Sequence, residues 1–128
     1  MRRAICTALL LALGHASAAP VAPAVRSEID ALLGRLVSSS CQFNRNGAWH
    51  DGAVARAHLL RKLEYLEGRN LVRTTEQFIE LGASSSSSSG KPYLVKCGAA
   101  AAVESQVWLT TELQAVRAAG MPAPAASR

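Results

Sequence analysis

The chain has 128 residues, of which 49% are hydrophobic and 18% are charged, and its formal net charge is +5. This length accommodates one modest hydrophobic core, so we expect a single domain. The positive charges are scattered along the sequence rather than gathered into a block, which argues against a nucleic-acid-binding protein.

The amino-terminal end has the features of a cleavable secretory signal peptide. Arg2 and Arg3 precede an uncharged, mostly apolar stretch from Ala4 to Leu13, and Ala16-Ser17-Ala18 offers a small-x-small cleavage site. The apolar stretch has about ten residues, whereas a membrane-spanning helix needs about twenty. We therefore expect residues 1–18 to be removed near Ala18, with no membrane span afterwards and a periplasmic or secreted product.

The expected cleavage also changes the cysteine count. It removes Cys6 and leaves Cys41 and Cys97 as an even pair in a compartment where disulfides persist. We expect these two residues to bond to each other, which in the chain-entropy description stabilises the fold by roughly 4 kcal/mol. The mature chain keeps 12 Lys and Arg residues against 9 Asp and Glu residues, so its net charge is +3.

The first predicted elements are a helix and a strand. Residues 19–26 lack periodicity and are interpreted as a flexible leader. Ser27 and Asp30 form a capping-box pattern for a helix that is expected to end near Ser38, with a stripe of apolar residues on one face. Cys41 to Asn44 then predicts a short strand leading into the turn-forming pair Asn46-Gly47.

Two further helices are predicted in the middle of the chain. Asp51 is a suitable N-cap for a helix that runs to Glu67, where Gly68 ends it. Thr74 precedes Gln77 by three residues, which is a second capping-box pattern. The apolar stripe of the longer helix is formed by Ala55, Leu59, Leu63 and Leu66, bordered by His58, Lys62 and Tyr65.

The last part of the chain begins with a run of serines, Ser84 to Ser89, called the serine loop below. Its shortness predicts an ordered or semi-ordered loop. The segment from Pro92 to Cys97 contains a strand-like apolar run. Ser105 is placed to start a helix that runs to Ala119, and residues 120–128 are expected to be a disordered tail.

These elements predict an α+β domain over residues 27–119, mainly helical, in the order α-β-α-α-β-α. About four helices would cover one face of a small two-stranded antiparallel sheet. A Cys41–Cys97 disulfide would place the two predicted strands side by side. We expect a monomer.

The glycines and histidines of the chain bear on three kinds of site: a nucleotide phosphate loop, an anion site and a metal site. Gly90-Lys91 fails as a nucleotide phosphate loop, because Gly82 lies eight rather than five positions before Gly90 and Pro92 replaces the required Ser or Thr. An anion held by backbone amides of this segment is a less demanding alternative. His50 and His58 are too far apart for a helical metal pair, so no metal and no cofactor are expected.

No catalytic set is evident in the sequence. Ser89 and Lys91 lack the Ser-x-x-Lys spacing of a helical nucleophile and base. Nothing places a nucleophile, a base and an oxyanion site within reach of one another, so no catalytic residue is assigned and an enzyme is not expected. A small envelope hydrolase that uses Ser89, His50 or His58 remains an alternative.

Two stretches carry a family resemblance. The first is Phe43-x-Arg45-Asn46-Gly47-x-x-His50, followed by Ala55-x-x-His58-Leu59-x-x-Lys62-Leu63. The second runs from Thr75-Glu76-Gln77-Phe78-Ile79 through the serine loop to Ser89-Gly90-Lys91-Pro92-Tyr93-Leu94-Val95-Lys96. Together they resemble the YfeK-like family of exported bacterial proteins, a domain of unknown function, across about residues 27–117. The resemblance implies an exported one-domain protein and no particular activity.

The leading functional hypothesis is a non-enzymatic binding or structural protein of the cell envelope. Its partner would be an envelope protein or an anionic envelope component. The candidate binding residues are Arg45, Asn46, His58, Lys62, Ser89, Gly90, Lys91 and Tyr93. A narrower alternative is inhibition of a cell-wall hydrolase such as lysozyme, because Ser89-Gly90-Lys91-Pro92-Tyr93 is similar to the Ser-Gly-x-x-Tyr loop of periplasmic lysozyme inhibitors, which are largely β.

Overall fold

The computed structural model describes Gly14 and residues 18–120, and within that part of the chain it contains four helices and four short strands. The helices are α1 (Pro23–Ser38), α2 (Gly52–Gly68), α3 (Thr75–Gly82) and α4 (Ser105–Gly120). The strands are β1 (Gln42–Arg45), β2 (Ala48–His50), β3 (Leu94–Lys96) and β4 (Val103–Glu104). Most of the predicted signal peptide, and the tail after Gly120, lie outside the described residues.

Two of the helix starts follow the predicted caps. The Asp51 carboxylate accepts a hydrogen bond from the Val54 backbone N–H at 2.8 Å, and the Thr74 hydroxyl accepts one from the Gln77 N–H at 3.1 Å. These bonds satisfy N–H groups that have no partner inside the helix. The predicted starts of α2 and α3 are therefore confirmed.

The start of α1 and the predicted leader need correction. The helix begins at Pro23 rather than at Ser27, because proline suits the first helical turn, where its missing N–H is not needed. Before it, the Ala19 N–H donates to the side-chain oxygen of Asn70 at 2.8 Å, and the Val21 N–H donates to the Glu67 carboxylate at 2.9 Å. Residues 23–26 are thus helical, and residues 19–22 contact the end of α2.

The sheet is larger than predicted: it has four antiparallel strands in the order β2-β1-β3-β4, not two. The pair Asn46-Gly47, with φ values of 52° and 85°, forms a tight turn that joins β1 to β2. Positive φ at both positions is the geometry that suits a two-residue hairpin. β4 was missed because its two residues follow an alanine-rich stretch that carries no alternating pattern.

The central strands β1 and β3 are held together at one end by a covalent bond. Their ladder pairs Gln42 with Lys96 and Phe43 with Val95, and the predicted disulfide between Cys41 and Cys97 continues it by one step. The disulfide spans 56 positions of sequence. It therefore links the two halves of the fold at the middle of the sheet.

The helices pack on one another and on one face of the sheet. The core side chains include Leu32, Leu33, Phe43, Leu59, Leu63, Phe78, Tyr93, Val95 and Leu109. The end of α1 approaches the start of α2 so closely that a Cβ atom on Gly52 would lie 2.6 Å from the Leu36 carbonyl oxygen. No helix within the described residues is both long and apolar enough to cross a membrane.

Candidate functional site

A cleft of about 530 Å³ opens between the β1–β2 hairpin, α2 and the serine loop. We call it the Arg45–Lys62 cleft. Its lining residues are Arg45, Asn46, Ala48, His50, His58, Lys62, Ser86, Ser87, Ser88 and Tyr93. The fold therefore brings together side chains from three elements that are distant in sequence.

Arg45 and His58 are joined by a hydrogen bond that determines the state of the imidazole ring. The Arg45 Nη1 atom lies 2.5 Å from His58 Nδ1, and His58 Nε2 lies 3.0 Å from the Tyr93 hydroxyl. A guanidinium group can only donate, so Nδ1 must be the acceptor and Nε2 must carry the proton. The ring is therefore neutral and donates to Tyr93.

Lys62 contacts the same tyrosine from one turn further along α2. Its Nζ atom donates to the Tyr93 hydroxyl at 3.0 Å and to the Ser85 carbonyl at 2.9 Å, and it lies 4.9 Å from the centre of the Tyr93 ring. An ammonium group has three donors. Two of them are used in these bonds, which leaves one N–H of Lys62 for a further acceptor.

Asn46 fixes the serine loop against the hairpin. Its side-chain N–H donates to the Ser86 hydroxyl at 3.1 Å, and its side-chain oxygen accepts from the Ser89 hydroxyl at 2.6 Å. Ser86 is only 5% exposed, and its hydroxyl also bonds that of Ser88 at 3.0 Å. The backbone closes the loop through a bond from the Gly90 N–H to the Ser86 carbonyl at 2.9 Å. The serine loop thus has a defined conformation.

The cleft is electropositive, and the pKa values of its groups reflect this. Burial, followed by the nearby charges of Arg45 and Lys62, lowers the pKa of His58 to about 4. Burial and the Arg45 charge also lower the pKa of Lys62, while burial raises the pKa of the Tyr93 hydroxyl. At neutral pH His58 is therefore uncharged beside the Arg45 and Lys62 cations.

No acidic side chain in the described residues offsets these two cations. The ion pairs within residues 18–120 involve Arg26, Arg35 and Arg117. Asp and Glu are absent from the lining of the cleft over that part of the chain. The arrangement can accept an anion, since a ligand charge would replace the missing carboxylate.

The same geometry bears on the alternative chemistries. Both ring nitrogens of His58 are engaged by Arg45 and Tyr93, and none of its hydrogen bonds in the described residues goes to a serine hydroxyl. The part of the chain that the structure describes also holds no group of three His, Cys, Asp or Glu residues suited to a metal ion. Within the described residues, His58 is therefore not paired with a serine hydroxyl.

The structure gathers some of the predicted binding residues and separates others. Arg45, Asn46, His58, Lys62 and Tyr93 all line the cleft, and Ser89 is bonded to Asn46. Gly90 and Lys91 are exposed and are not among the lining residues.

The serine loop supplies residues that the sequence analysis did not single out. Ser85 accepts from Lys62, and Ser86 to Ser88 form one wall of the cleft. In the lysozyme-inhibitor-like motif, the Tyr93 ring is only 1% exposed, so the loop can offer Ser89, Gly90 and Lys91 to a protein partner but not the aromatic ring.

The lowered pKa of His58 predicts a specific dependence of stability on pH. The unfolded state takes up a proton near pH 6.5 and the folded state only near pH 4, so the free energy of unfolding should fall as the pH drops from about 6.5 towards 4. Allowing for partial exposure, we expect a loss of about 1–2 kcal/mol between pH 7 and pH 5. Urea denaturation across this range measures it.

The matched control for this prediction is His58→Gln, whose amide can still bond to Arg45 but does not titrate. Its stability should change less between pH 7 and pH 5 than that of the wild type. The carboxylates of Glu28 and Glu76, whose pKa values the Arg117 guanidinium lowers, lose their contribution only at still lower pH. Equal pH profiles for the wild type and the variant would show that folding does not lower the pKa of His58.

Comparison with known proteins identifies relatives of this chain. A family model described as "Family of unknown function (DUF5329)" matches residues 23–117. The uncharacterized protein YfeK of Salmonella typhimurium strain LT2 is 38% identical over 94 residues, which are 73% of this chain and 77% of that protein. No solved structure matches the chain.

Proposed function

This chain belongs to the family of unknown function DUF5329, and we propose that it acts as a non-enzymatic binding protein of the bacterial cell envelope. The proposed ligand is an anionic envelope component that enters the Arg45–Lys62 cleft. The observation that carries the proposal is a cleft with two half-buried cations, Arg45 and Lys62, whose lining within residues 18–120 includes no carboxylate. The amino-terminal sequence supports the export step, because residues 1–18 have the pattern of a signal peptide.

The electrostatic cost of the cleft supports a binding role. Burial first, and the like charge of Arg45 second, lower the pKa of Lys62, so holding both cations in this cleft has an electrostatic cost. Perturbed ionisable groups of this kind cluster at functional sites. Three arginines outside the cleft do have acidic partners within the described residues: Arg26, Arg35 and Arg117. An anionic ligand would remove the repulsion that the free cleft contains.

His58 supports the same role by staying neutral. A protonated imidazole would add a third positive charge and could not accept the bond from Arg45. As a neutral acceptor it instead orients the guanidinium group, whose remaining N–H donors are available to a ligand. His58 therefore acts as a positioning residue in the proposed site.

The hydrogen bonds of His58 also favour binding over catalysis. A general base needs a free lone pair within reach of the proton that it removes. The Nδ1 lone pair of His58 is directed at Arg45, and the Nε2 proton is directed at Tyr93. Using this histidine as a base would require breaking the contact that holds the cleft together.

The proposal is tested by cosedimentation of the mature chain, residues 19–128, with purified cell-envelope fragments. We expect Arg45→Gln/Lys62→Gln to lower the bound fraction at least about tenfold, because the loss of one charge-assisted contact costs roughly that factor. The matched control is Arg56→Gln/Lys96→Gln, which removes the same charge from exposed positions outside the cleft. This control should bind as the wild type does.

Two outcomes would contradict the proposal. Equal losses in both double variants would show that net charge rather than the cleft drives binding. Full binding by the cleft variant would show that another surface is used. Circular dichroism and the thermal midpoint of each variant establish that it is folded before binding is compared.

A further inference from the structure

We infer that the group bound in the Arg45–Lys62 cleft is a phosphate monoester, an inference that rests on the proposed function and names its ligand class. Three features of the cleft support a phosphate monoester: donors on three walls, two positive charges, and a second depression beside it. A soluble phosphate ester and the phosphate of a lipid share this chemistry, and the test below separates them.

The donors of the cleft come from three walls. Arg45 and Asn46 lie on the hairpin, Lys62 lies on α2, and Ser86 to Ser88 lie on the serine loop. A carboxylate is planar and offers two oxygens, whereas a phosphate monoester offers three terminal oxygens that point in different directions. Donors placed on three sides of the cleft fit the tetrahedral group better than the planar one.

The serine loop contributes donors that have no other partner. The backbone N–H groups of Ser87 and Ser88 make no hydrogen bond within residues 18–120, and both residues line the cleft. The loop that carries them is held in place by Asn46 and by the bond between Gly90 and Ser86. Successive backbone N–H groups beside basic side chains are a recurrent way of holding phosphate oxygens.

The charge of the cleft matches a dianion. Arg45 and Lys62 supply two positive charges, and His58 is neutral at pH 7. A phosphate monoester carries a charge of about −1.5 to −2 at that pH. A single carboxylate would leave one of the two cations uncompensated.

The space beside the cleft accommodates the group that the phosphate is attached to. The main cleft, at about 530 Å³, has the size of a small-molecule site. A second depression of about 350 Å³ shares His58, Lys62 and Ser87 with it and continues to Arg61 and Tyr65. Tyr65 is 58% exposed, and the Arg69 guanidinium lies 4.8 Å from the centre of its ring. The ester group can therefore lie along Tyr65 while the phosphate stays between the two cations.

The test is a calorimetric titration of the mature chain with glycerol phosphate and with malonate, two small anions that both carry about two negative charges near pH 7.5. We expect glycerol phosphate to bind at least about tenfold more tightly than malonate, because only the tetrahedral group reaches all three walls. Arg45→Gln/Lys62→Gln should abolish this preference, and Arg56→Gln/Lys96→Gln should retain it. Equal affinity for the two anions would overturn the inference.

A second arm identifies the source of the phosphate. Vesicles of phosphatidylcholine with phosphatidic acid present a phosphate monoester at a membrane surface, and pure phosphatidylcholine vesicles do not. Binding to the vesicles that contain phosphatidic acid, and not to pure phosphatidylcholine vesicles, identifies a lipid phosphate. Binding to glycerol phosphate without binding to either kind of vesicle identifies a soluble ester. Absence of binding in both arms would overturn the inference.

The failure of this inference is distinguishable from the failure of the proposed function. Cleft-dependent binding to envelope fragments together with no preference for phosphate would leave the binding role intact and assign another anion to the site. Envelope binding that does not depend on Arg45 and Lys62 would reject the binding role itself, whatever the small anions do.

Discussion

Removal of the Cys41–Cys97 disulfide is expected to lower the free energy of unfolding by roughly 4 kcal/mol, because the bond closes a loop that spans 56 positions of sequence. Domains of this size have a total stability of about 5–15 kcal/mol, so the loss is a large part of it. The strands that the bond joins, β1 and β3, meet over only three residue pairs. Urea denaturation with and without reductant measures the effect.

The variant Cys41→Ala/Cys97→Ala provides the control for reduction. It should have nearly the stability of the reduced wild type and should not respond to reductant. Because Cys41 is buried, a small additional loss from the missing sulfur atoms is expected in the variant. An oxidised and a reduced wild type that unfold at the same urea concentration would refute the predicted contribution of the bond.

Gly52→Ala is expected to destabilise the fold by about 3 kcal/mol, since it adds a methyl group where two helices meet backbone to backbone. The new Cβ atom would lie 2.6 Å from the Leu36 carbonyl oxygen and 2.7 Å from the Val37 Cα atom. Neither atom belongs to a flexible side chain, so relief requires α1 and α2 to move apart. The urea midpoint and the thermal midpoint both report the loss.

Gly34→Ala in the interior of α1 is the matched control. A Cβ atom there meets nothing within 4 Å. Alanine favours a helix over glycine by about 0.8–1 kcal/mol, so this variant should be slightly more stable than the wild type. The two substitutions are chemically identical and are expected to act with opposite signs; a Gly52→Ala protein as stable as the wild type would refute the close approach of the two helices.

The helices of this fold could be predicted from local signals, while half of the sheet could not. Asp51 and Thr74 indicate where α2 and α3 begin, because their side chains can bond N–H groups only three residues away. Strands β2 and β4 have three and two residues, too few to show an alternating pattern. Their existence depends on pairing with β1 and β3, which is a contact between distant segments.

The candidate site, like the fold, could be predicted only in part from the sequence. Arg45, His58 and Lys62 stand out as polar residues in the motifs that carry the family resemblance, and the fold places all three in one cleft. The sequence could not show which serines of the serine loop line the cleft, because six identical residues give no reason to choose one over another. Ser86 is distinguished only by its contact with Asn46, which is 40 positions away in sequence.

Tyr93 forms the floor of the cleft and is at the same time part of the hydrophobic core. Its ring packs 5.0 Å from that of Phe43, its backbone N–H bonds the Ser84 carbonyl, and its own carbonyl accepts from the Ser105 N–H. The base of the cleft is therefore as rigid as the interior of the protein. A ligand that enters the cleft would therefore lose little binding free energy to the ordering of Tyr93. The entropic cost of binding would come instead from ordering the end of the Lys62 side chain and the exposed serines.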